Sequence, residues 1–379
     1  MKSNIHVSFP YAAFNERDTD LIHAFEAVMN SGSYILGEAV NSFEKDYASF
    51  TGSSSCVGVA NGTDAIEISL RALEIGANQA VFTVSHTAVA TVAAIERAGA
   101  VPVLVDVDPQ LYTMDLDSLV AAIEFVQSDT KLQPAAVIPV HLYGNACDMD
   151  GLAAIAQKYK LKVIEDCAQA HGTTYNGKHV GNFADAGAFS FYPTKNLGAF
   201  GDAGAVVTND QLLAEKVKSL RQYGWEERYI SKIPGINSRL DPIQAAMLGV
   251  QLQYLHEDIA SRRAIAHTYG RELASTEIDL PVAAEHCEHS YHLYVIRCKE
   301  RDALAGFLQS KNIGTGIHYP VPVHLQPAYA GRISTSPNGL PNTESLCAEI
   351  LSLPMYPQLT DTEVERVCAA VKDFFTAGV

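Results

Sequence analysis

Two residues with complementary chemistry follow apolar segments of this chain. Lys195 comes shortly after the run Ala186–Phe191, and Asp166 directly follows Lys162–Glu165. A lysine amine can form a Schiff base with an aldehyde, and burial favours its neutral, nucleophilic form. An aspartate at a strand end can keep the nitrogen of a pyridine ring protonated. The pair therefore predicts a site for pyridoxal 5'-phosphate (PLP), with Lys195 and Asp166 as catalytic residues.

Each residue taken singly has a simpler interpretation. Most lysines lie on protein surfaces, and an acid at the end of a strand is often a turn or helix cap. Two features favour function: small or apolar neighbours surround Lys195, and both residues follow strands. Open α/β sheets bind ligands at the carboxyl ends of their strands.

A phosphate site is predicted where the segment Asn61–Asp64 passes from a strand into a helix. Gly62 permits close backbone approach, Thr63 offers a hydroxyl, and the helix N-terminus offers unpaired N–H groups. Asp64 would bind phosphate only through its backbone N–H, and Ser190 could add a second hydroxyl. The alternative is an ordinary helix cap, because Asn, Thr and Asp are the preferred capping residues.

Two further side chains are candidates for contact with the cofactor ring. Gln169 follows Asp166 closely and could orient it, and His86 at the end of Gln79–Val84 could stack on the pyridine. The alternative for His86 is a histidine that is satisfied by ordinary hydrogen bonds at a strand end. No metal site is predicted.

These residues must be positioned by an α/β sheet, mostly parallel and wrapped by helices. Predicted strands are apolar at nearly every position, as in strands covered on both faces; they are Cys56–Ala60, Gln79–Val84, Val101–Val105, Ala135–Val140, Lys162–Glu165, Ala186–Phe191 and Ala203–Thr208. Helical patterns alternate with them at Thr63–Ile75, Thr87–Ala98, Leu116–Val126, Met149–Tyr159 and Leu212–Tyr223.

The pattern changes after a long helix predicted over 242–274. A strand at Tyr291–Arg297, a helix at Arg301–Lys311 and a strand at Gly314–His318 follow, and the last helix begins at Thr360 with a capping box to Glu363. We therefore predict a large cofactor-binding domain at 1–255 and a small α+β domain at 256–379. A helix near Glu16–Ser31 is expected to pack against one of the two.

Composition limits the classes of function. The chain has 379 residues, 47% of them hydrophobic, and a net charge of -16. Such acidity argues against nucleic-acid binding, which favours basic surfaces. No apolar run is long enough for a membrane span, and no signal peptide is evident. Seven cysteines without C-x-x-C spacing indicate reduced thiols, so a cytoplasmic enzyme is expected.

Several motifs in order resemble the PLP-dependent nucleotide-sugar aminotransferases of fold type I. They are Asn61–Thr63, Pro139–Gly144, Glu165–Gly172 and Phe189–Asn196, and the resemblance covers nearly the whole chain. It implies that Lys195 is the Schiff-base lysine, and that pyridoxamine 5'-phosphate is the second cofactor form. It also implies a homodimer with shared active sites, in which Asn237 reaches the partner's phosphate.

The resemblance extends to the substrate. The segments Tyr223–Trp225, Asn237–Asp241 and Gly316–Pro320 are similar to the branch that aminates C3 of 3-keto-6-deoxyhexoses. This implies transfer from L-glutamate to C3 of a nucleotide-linked sugar, with dTDP as the expected nucleotide, in deoxyamino sugar and polysaccharide or O-antigen biosynthesis. The alternative is amination at C4 of a 4-keto sugar.

The implied substrate contacts are His318, Tyr319, Tyr223 and Trp225, although Trp225 could equally serve packing. Two other classes fit less well. A cysteine-desulfurase-like lyase needs a reactive cysteine in a mobile loop, and no cysteine stands in such a setting. A transcription regulator on the same fold needs an added basic module, and this acidic chain has no segment for one.

Overall fold

A mixed sheet of eight strands forms the centre of the computed structural model, which describes residues 4–129 and 131–376. The described helices are α1 Pro10–Glu16, α2 Asp18–Ser31, α3 Glu38–Thr51, α4 Gly62–Ala72, α5 Val89–Arg97, α6 Leu116–Asp129, α7 Met149–Tyr159, α8 Gln211–Leu220, α9 Pro242–Leu273, α10 Arg301–Ser310, α11 Pro341–Glu349 and α12 Asp361–Thr376. The described strands are β1 Ser55–Val59, β2 Gln79–Val84, β3 Val101–Val105, β4 Gln133–Ile138, β5 Lys162–Asp166, β6 Thr174–Tyr175, β7 Lys178–His179, β8 Ala186–Ser190, β9 Gly204–Thr208, β10 Trp225–Glu227, β11 Ile230–Ser231, β12 Cys287–Glu288, β13 Tyr294–Arg297, β14 Ser334–Thr335 and β15 Ile350–Leu353.

The strand order in the central sheet is β1-β9-β8-β5-β4-β2-β3-β14. Strands β8, β5, β4, β2, β3 and β14 are parallel, whereas β9 is antiparallel to both β1 and β8. The carboxyl ends of the parallel strands therefore meet at one edge, where the segments after β2, β4, β5 and β8 leave the sheet. The predicted α/β class with a mostly parallel sheet is confirmed.

Both faces of the sheet are covered because its strands are apolar on both sides. One face packs with Ala65 and Ile68 of α4 and with residues of α5 and α8. The other packs with Phe43 and Tyr47 of α3 and with residues of α6, α7 and α9. This double burial explains why the strands read as nearly continuous apolar runs.

A second core forms in the carboxyl-terminal part of the chain. The last third of α9 packs there with the β13–β15 pair, α10 and α12. The predicted capping box of α12 is present, since the Thr360 N–H bonds Glu363 Oε2 at 3.0 Å and the Glu363 N–H bonds Thr360 Oγ1 at 3.3 Å. The division of the chain at residue 255 stays a prediction, and it falls inside the continuous helix α9.

One strand prediction is wrong. Residues 314–318 form no strand; Gly316 makes an isolated bridge to Ser352, and Ile313 bridges to Ile5 near the start of the chain. The segment pairs at single points with two parts of the chain that are distant in sequence. It is therefore only partly buried and does not form the continuous hydrogen-bond ladder of a strand. Among the described residues, no helix combines the length and the apolar character needed to cross a membrane.

Candidate active site

A cavity of about 290 Å³ opens at the carboxyl edge of the parallel strands. Six residues singled out in the sequence line it: Gly62, Thr63, Asp166, Gln169, Ser190 and Lys195. They come from the ends of β5 and β8, from the loops that follow those strands and from the first turn of α4. The fold therefore brings the predicted amine, carboxylate and phosphate donors around one space.

Lys195 lies in the loop after β8 and borders this cavity on one side. Burial lowers the pKa of its amine from 10.5 to about 8, although the nearby Asp166 carboxylate opposes the shift. No hydrogen bond or ion pair from this amine to another described residue is present, which leaves its lone pair available once the proton is lost. The amine is thus suited to attack an aldehyde.

The lowered pKa of Lys195 gives a pH prediction. Near pH 7.5, roughly a quarter of the amine is neutral with a pKa of about 8, against roughly one part in a thousand at the ordinary value. We expect the cofactor-free protein to take up PLP faster as the pH rises through about 8, because the neutral amine is the nucleophile. Stopped-flow absorbance would measure the rate. Lysine with its α-amine blocked, which reacts through its ε-amine alone, is the control for titration of PLP itself. A rate that stays flat across this range would contradict the expectation.

Asp166 is the last residue of β5, and its carboxylate is almost fully buried. Burial raises its pKa, while hydrogen bonds from the Ala168 N–H (3.1 Å) and the Thr91 hydroxyl (2.9 Å) and the charge of Lys195 act in the opposite direction. A buried carboxylate of this kind gains most from a cationic partner in the cavity. A protonated pyridine nitrogen would be such a partner.

The opposite end of the cavity is built by the first turn of α4. The Asn61 side chain caps this helix by accepting the Asp64 N–H at 2.8 Å. The N–H groups of Gly62 and Thr63 make no hydrogen bond to the described residues, and both residues border the cavity. Two free N–H groups at a helix N-terminus, beside the Ser190 hydroxyl, form a suitable anion site.

Gly62 has no space for a side chain. A Cβ at this position would lie 2.6 Å from Cβ of Ser190, which is closer than real contacts allow. We expect Gly62→Ala to raise the Kd for PLP about tenfold, because the displaced turn loses one or two charge-assisted hydrogen bonds. Fluorescence titration of the cofactor-free protein would measure this change.

Gly249, inside α9, provides the matched control, since a Cβ there meets no atom within 4 Å. Gly249→Ala should leave the Kd unchanged and stabilise the fold by up to about 1 kcal/mol through helix propensity. Equal PLP affinity in both variants would argue against the phosphate site at α4.

Two predicted cofactor contacts lie outside this cavity. Asp64 already has partners within the chain: its N–H donates to the Asn61 side chain, and its carboxylate pairs with Arg97 at 3.0 Å. His86 is fully buried and bonds Tyr143 and Cys347, while the next residues, Thr87 and Ala88, border the cavity instead. The chain turns away after β2 so that the residues following the histidine face the space.

The predicted substrate contacts fall into two groups. His318 and Tyr319 reach the cavity region from the carboxyl-terminal part: the Gln169 amide donates to the Tyr319 hydroxyl at 3.1 Å, and the charge of Lys195 helps burial to lower the pKa of His318 to about 4. Tyr223 and Trp225 lie on and before the β10–β11 hairpin, with their rings 5.6 Å apart. Neither borders the cavity within this chain.

Asn237 also lies away from the cavity of its own chain. It is exposed and pairs through its backbone with Gln222, beside the same hairpin. This position fits a residue that acts on a second subunit better than one that acts within its own. Its predicted role stays a prediction.

A group of buried residues could have suggested a metal site. His141, Glu165 and Cys167 offer ligand atoms within 4.8 Å of one another. However, Glu165 already bonds His141 at 3.0 Å and accepts the N–H groups of Gly181 and Phe183 at 2.7 and 2.8 Å. The Glu165 carboxylate thus joins β5 to His141 and to the loop at Gly181 and Phe183, which is a structural role.

Two residues near the site were missed in the sequence. Thr91 on α5 holds the Asp166 carboxylate, and Tyr143 bonds Gln169 through its backbone N–H at 2.8 Å. Tyr143 lies in the segment Pro139–Gly144, one of the motifs of the resemblance, so a signal for it was available. Thr91 had none, because only the packing of α5 against the sheet brings it to Asp166.

Comparisons with known proteins agree with this geometry. The pattern of the DegT/DnrJ/EryC1/StrS aminotransferase family matches residues 15–372. The chain is 46% identical over 355 residues to dTDP-3-amino-3,6-dideoxy-alpha-D-galactopyranose transaminase from Aneurinibacillus thermoaerophilus, with 94% of this chain and 95% of the relative covered.

Two further proteins are similar over nearly their whole length. The dTDP-3-amino-3,4,6-trideoxy-alpha-D-glucose transaminase from Micromonospora megalomicea subsp. nigra is 44% identical over 369 residues, with 96% of each chain covered. The crystal structure of S. venezuelae DesV in complex with a ketimine intermediate superimposes with a TM-score of 0.93 and 40% identity, over 98% of this chain and 99% of that one.

Proposed function

Since this chain belongs to the DegT/DnrJ/EryC1/StrS aminotransferase family, we propose that it transfers the amino group of L-glutamate to C3 of a dTDP-linked 3-keto-6-deoxyhexose. The products are 2-oxoglutarate and a nucleotide-linked 3-amino-3,6-dideoxyhexose. The observation that carries the proposal is the single cavity shared by Lys195, Asp166 and the amino end of α4. Family membership confirms the resemblance and the fold type I class drawn from the motifs.

The residues around the cavity fit PLP. Gly62, Thr63 and Ser190 would hold the phosphate at the end of α4, Asp166 would bond the ring nitrogen, and Lys195 would hold the aldehyde carbon. When bound, PLP supplies a conjugated ring that takes up the electron pair left when a substrate C–H bond breaks. This set of donors, with two free N–H groups and an amine without a hydrogen-bonded partner, is what such a ligand requires.

Lys195 would act as the proton carrier. Its amine would move a proton from the α-carbon of glutamate to the cofactor carbon in the first half-reaction, and from that carbon to C3 of the sugar in the second. A pKa of about 8 lets the amine both accept and release a proton near neutral pH. Asp166 would keep a proton at the ring nitrogen, because the positive charge there would stabilise the buried carboxylate.

The choice of C3 rests on the relatives. The two similar transaminases are both named for products that carry the amino group at carbon 3, and both are dTDP-linked. Their identity of 44–46% over nearly the whole chain makes amination at C3 a better-supported proposal than amination at C4. The pathway is proposed to supply deoxyamino sugars for a polysaccharide.

A homodimer with shared sites is part of the proposal. Helix α2 exposes an apolar stripe of Ile22, Phe25 and Met29. Tyr223, just before the β10–β11 hairpin, and Tyr229, in its turn, are also exposed. Exposed apolar side chains grouped on one helix face favour association with a second copy. We expect mixed dimers of Lys195→Ala and Asn237→Ala subunits to regain up to about half the wild-type activity, because one site then has both residues intact; no recovery in purified mixed dimers would argue against sharing.

A cytoplasmic location is proposed as well. All seven cysteines are free, and six of them are buried. Free buried thiols are typical of proteins kept in a reducing compartment.

The first experiment converts the PLP-loaded protein with L-glutamate, removes the excess and follows cofactor absorbance after a keto sugar is added. Recovery of the initial spectrum with a dTDP-linked 3-keto-6-deoxyhexose, but not with the 4-keto isomer, is the expected result. Recovery with the 4-keto sugar alone would replace C3 by C4. A spectrum that glutamate never changes would overturn the choice of amino donor, and other amino acids would then be compared.

A further inference from the structure

Tyr143 lies at the junction of three segments around the candidate site. Its side chain is almost completely buried, and its hydroxyl bonds both His86 Nε2, at 2.9 Å, and the backbone carbonyl oxygen of His318. Its backbone φ is +60°, a conformation that is unfavourable for a large side chain. Backbone conformations of this kind persist where surrounding contacts impose them, and they are frequent at functional sites.

The direction of each hydrogen bond can be assigned. A carbonyl oxygen only accepts, so the Tyr143 hydroxyl must donate its proton to His318. His86 Nε2 must then carry a hydrogen and donate it to the Tyr143 oxygen. In a neutral ring, Nδ1 is left to accept from the Cys347 thiol, whose Sγ lies 3.4 Å away. Burial lowers the pKa of His86 to about 4, which keeps the ring neutral at physiological pH.

A second set of contacts closes a ring with the first. The Tyr143 N–H donates to Gln169 Oε1 at 2.8 Å, and Gln169 Nε2 donates to the Tyr319 hydroxyl at 3.1 Å. Tyr143 thus holds the segment His318–Tyr319 at two points, directly through a carbonyl and indirectly through Gln169. His318 is held from its other side by Ser352, with Nδ1 to Oγ at 2.8 Å.

The segment held in this way lies where the larger substrate must pass. A cavity of about 290 Å³ is close to the lower limit for a ligand site. Once it holds the cofactor, a nucleotide-linked sugar must extend beyond its rim, whereas glutamate is far smaller. Tyr319 lies next to the cavity lining, because its hydroxyl accepts the Gln169 amide at 3.1 Å and Gln169 borders the cavity.

We propose that Tyr143 and His86 are positioning residues for the sugar acceptor: the chain His86–Tyr143–His318 fixes the wall formed by His318 and Tyr319 against which the sugar is aligned. The inference rests on the proposed function and adds a role for two residues that do not themselves touch the reacting atoms. It predicts that the two half-reactions respond differently when the chain of hydrogen bonds is cut.

The test measures the half-reactions separately: L-glutamate is added to the PLP-loaded enzyme, and the keto sugar is added to enzyme that glutamate has first converted to the pyridoxamine phosphate form. Tyr143→Phe removes only the hydroxyl, and we expect the kcat/KM for the keto sugar to fall on the order of 10- to 100-fold through misplacement of the wall. The rate with L-glutamate should change less than about twofold, because this half-reaction needs no contact with the wall. Both rates are taken on folded, cofactor-loaded protein, so a loss of stability does not enter the ratio.

Two comparisons sharpen the result. His86→Gln keeps an N–H donor near the place of Nε2 and should retain most sugar activity, whereas His86→Leu should resemble Tyr143→Phe. Tyr112→Phe is the matched control: Tyr112 is equally buried, its ring lies 5.9 Å from that of Tyr143, and its hydroxyl makes no hydrogen bond within the described part of the chain. It should leave both half-reactions unchanged.

The outcomes are distinct. A selective loss with the keto sugar in Tyr143→Phe and His86→Leu supports the inference. Equal losses in both half-reactions, no loss, or the same loss in Tyr112→Phe would overturn it. Failure of the wild-type enzyme to react with glutamate or with any keto sugar is a failure of the proposed function instead.

Discussion

Lys195→Ala should lower turnover by at least about 10³-fold, the largest effect that we expect from any single substitution. The variant removes both the amine that holds the aldehyde carbon and the group that carries the proton in each half-reaction. PLP should still bind, because Gly62, Thr63 and Ser190 are unchanged at the phosphate end of the cavity. Steady-state rates with glutamate and keto sugar, together with the PLP content after dialysis, would measure the two effects.

Lys162→Ala serves as the control for loss of a positive charge. Lys162 lies at the start of β5, at the opposite edge of the sheet from Asp166, and pairs with Asp185 at 2.8 Å on the surface. An exposed pair of this type contributes little to stability, so the variant should behave like the wild-type enzyme. Turnover by Lys195→Ala at a wild-type rate would end the aminotransferase assignment of this site.

The second large effect is expected for Asp166→Ala, which should lose about 10²- to 10³-fold in turnover. Without the carboxylate, the ring nitrogen is no longer held protonated, so the ring takes up electron density less readily. Stability should change little, because the loss of the hydrogen bonds from the Thr91 hydroxyl and the Ala168 N–H is offset by removal of a charge whose burial is unfavourable, as its raised pKa indicates. The measurement is turnover combined with thermal unfolding of the cofactor-free protein.

Asp106 offers a contrast on the same edge of the sheet. It follows β3, is buried, and accepts hydrogen bonds from the Asn342 N–H and from the Thr343 N–H and hydroxyl, at 2.9, 2.8 and 2.7 Å. Asp106→Ala should therefore cost about 1–2 kcal/mol of stability at the start of α11 while turnover is retained. If Asp166→Ala destabilised the fold like Asp106→Ala and remained active, Asp166 would be a structural acid rather than a catalytic one.

The sequence predicted the parts of this protein that depend on local pattern. Strands β2 and β3 were placed at their observed bounds, because residues buried on both faces leave continuous apolar runs. The cavity residues Lys195 and Asp166 were found for a related reason: parallel strands deliver the residues that follow them to one edge. Reactive residues that follow neighbouring parallel strands can therefore be predicted to lie together before the fold is known.

Other features depend on contacts that the local pattern does not encode. The surroundings of His86 are one example: the turn after β2 presents Thr87 and Ala88 to the cavity, while the His86 ring bonds Tyr143. Its predicted stacking on the cofactor stays a prediction. The ring around Tyr143 joins residues more than a hundred positions apart. Residues 314–318 fail as a strand for the same reason, since their partners lie at Ile5 and Ser352.

Helix α9 has a consequence for how the protein unfolds. Its 32 residues extend for about 48 Å, and they supply Leu248, Leu255 and Ile259 to the core beneath the sheet and Tyr269 and Leu273 to the second core. A break in its backbone hydrogen bonds near the middle would remove support from both cores at once. The two halves of the molecule are thus linked in their free energy of unfolding and should melt as one cooperative unit, even though each has its own hydrophobic interior.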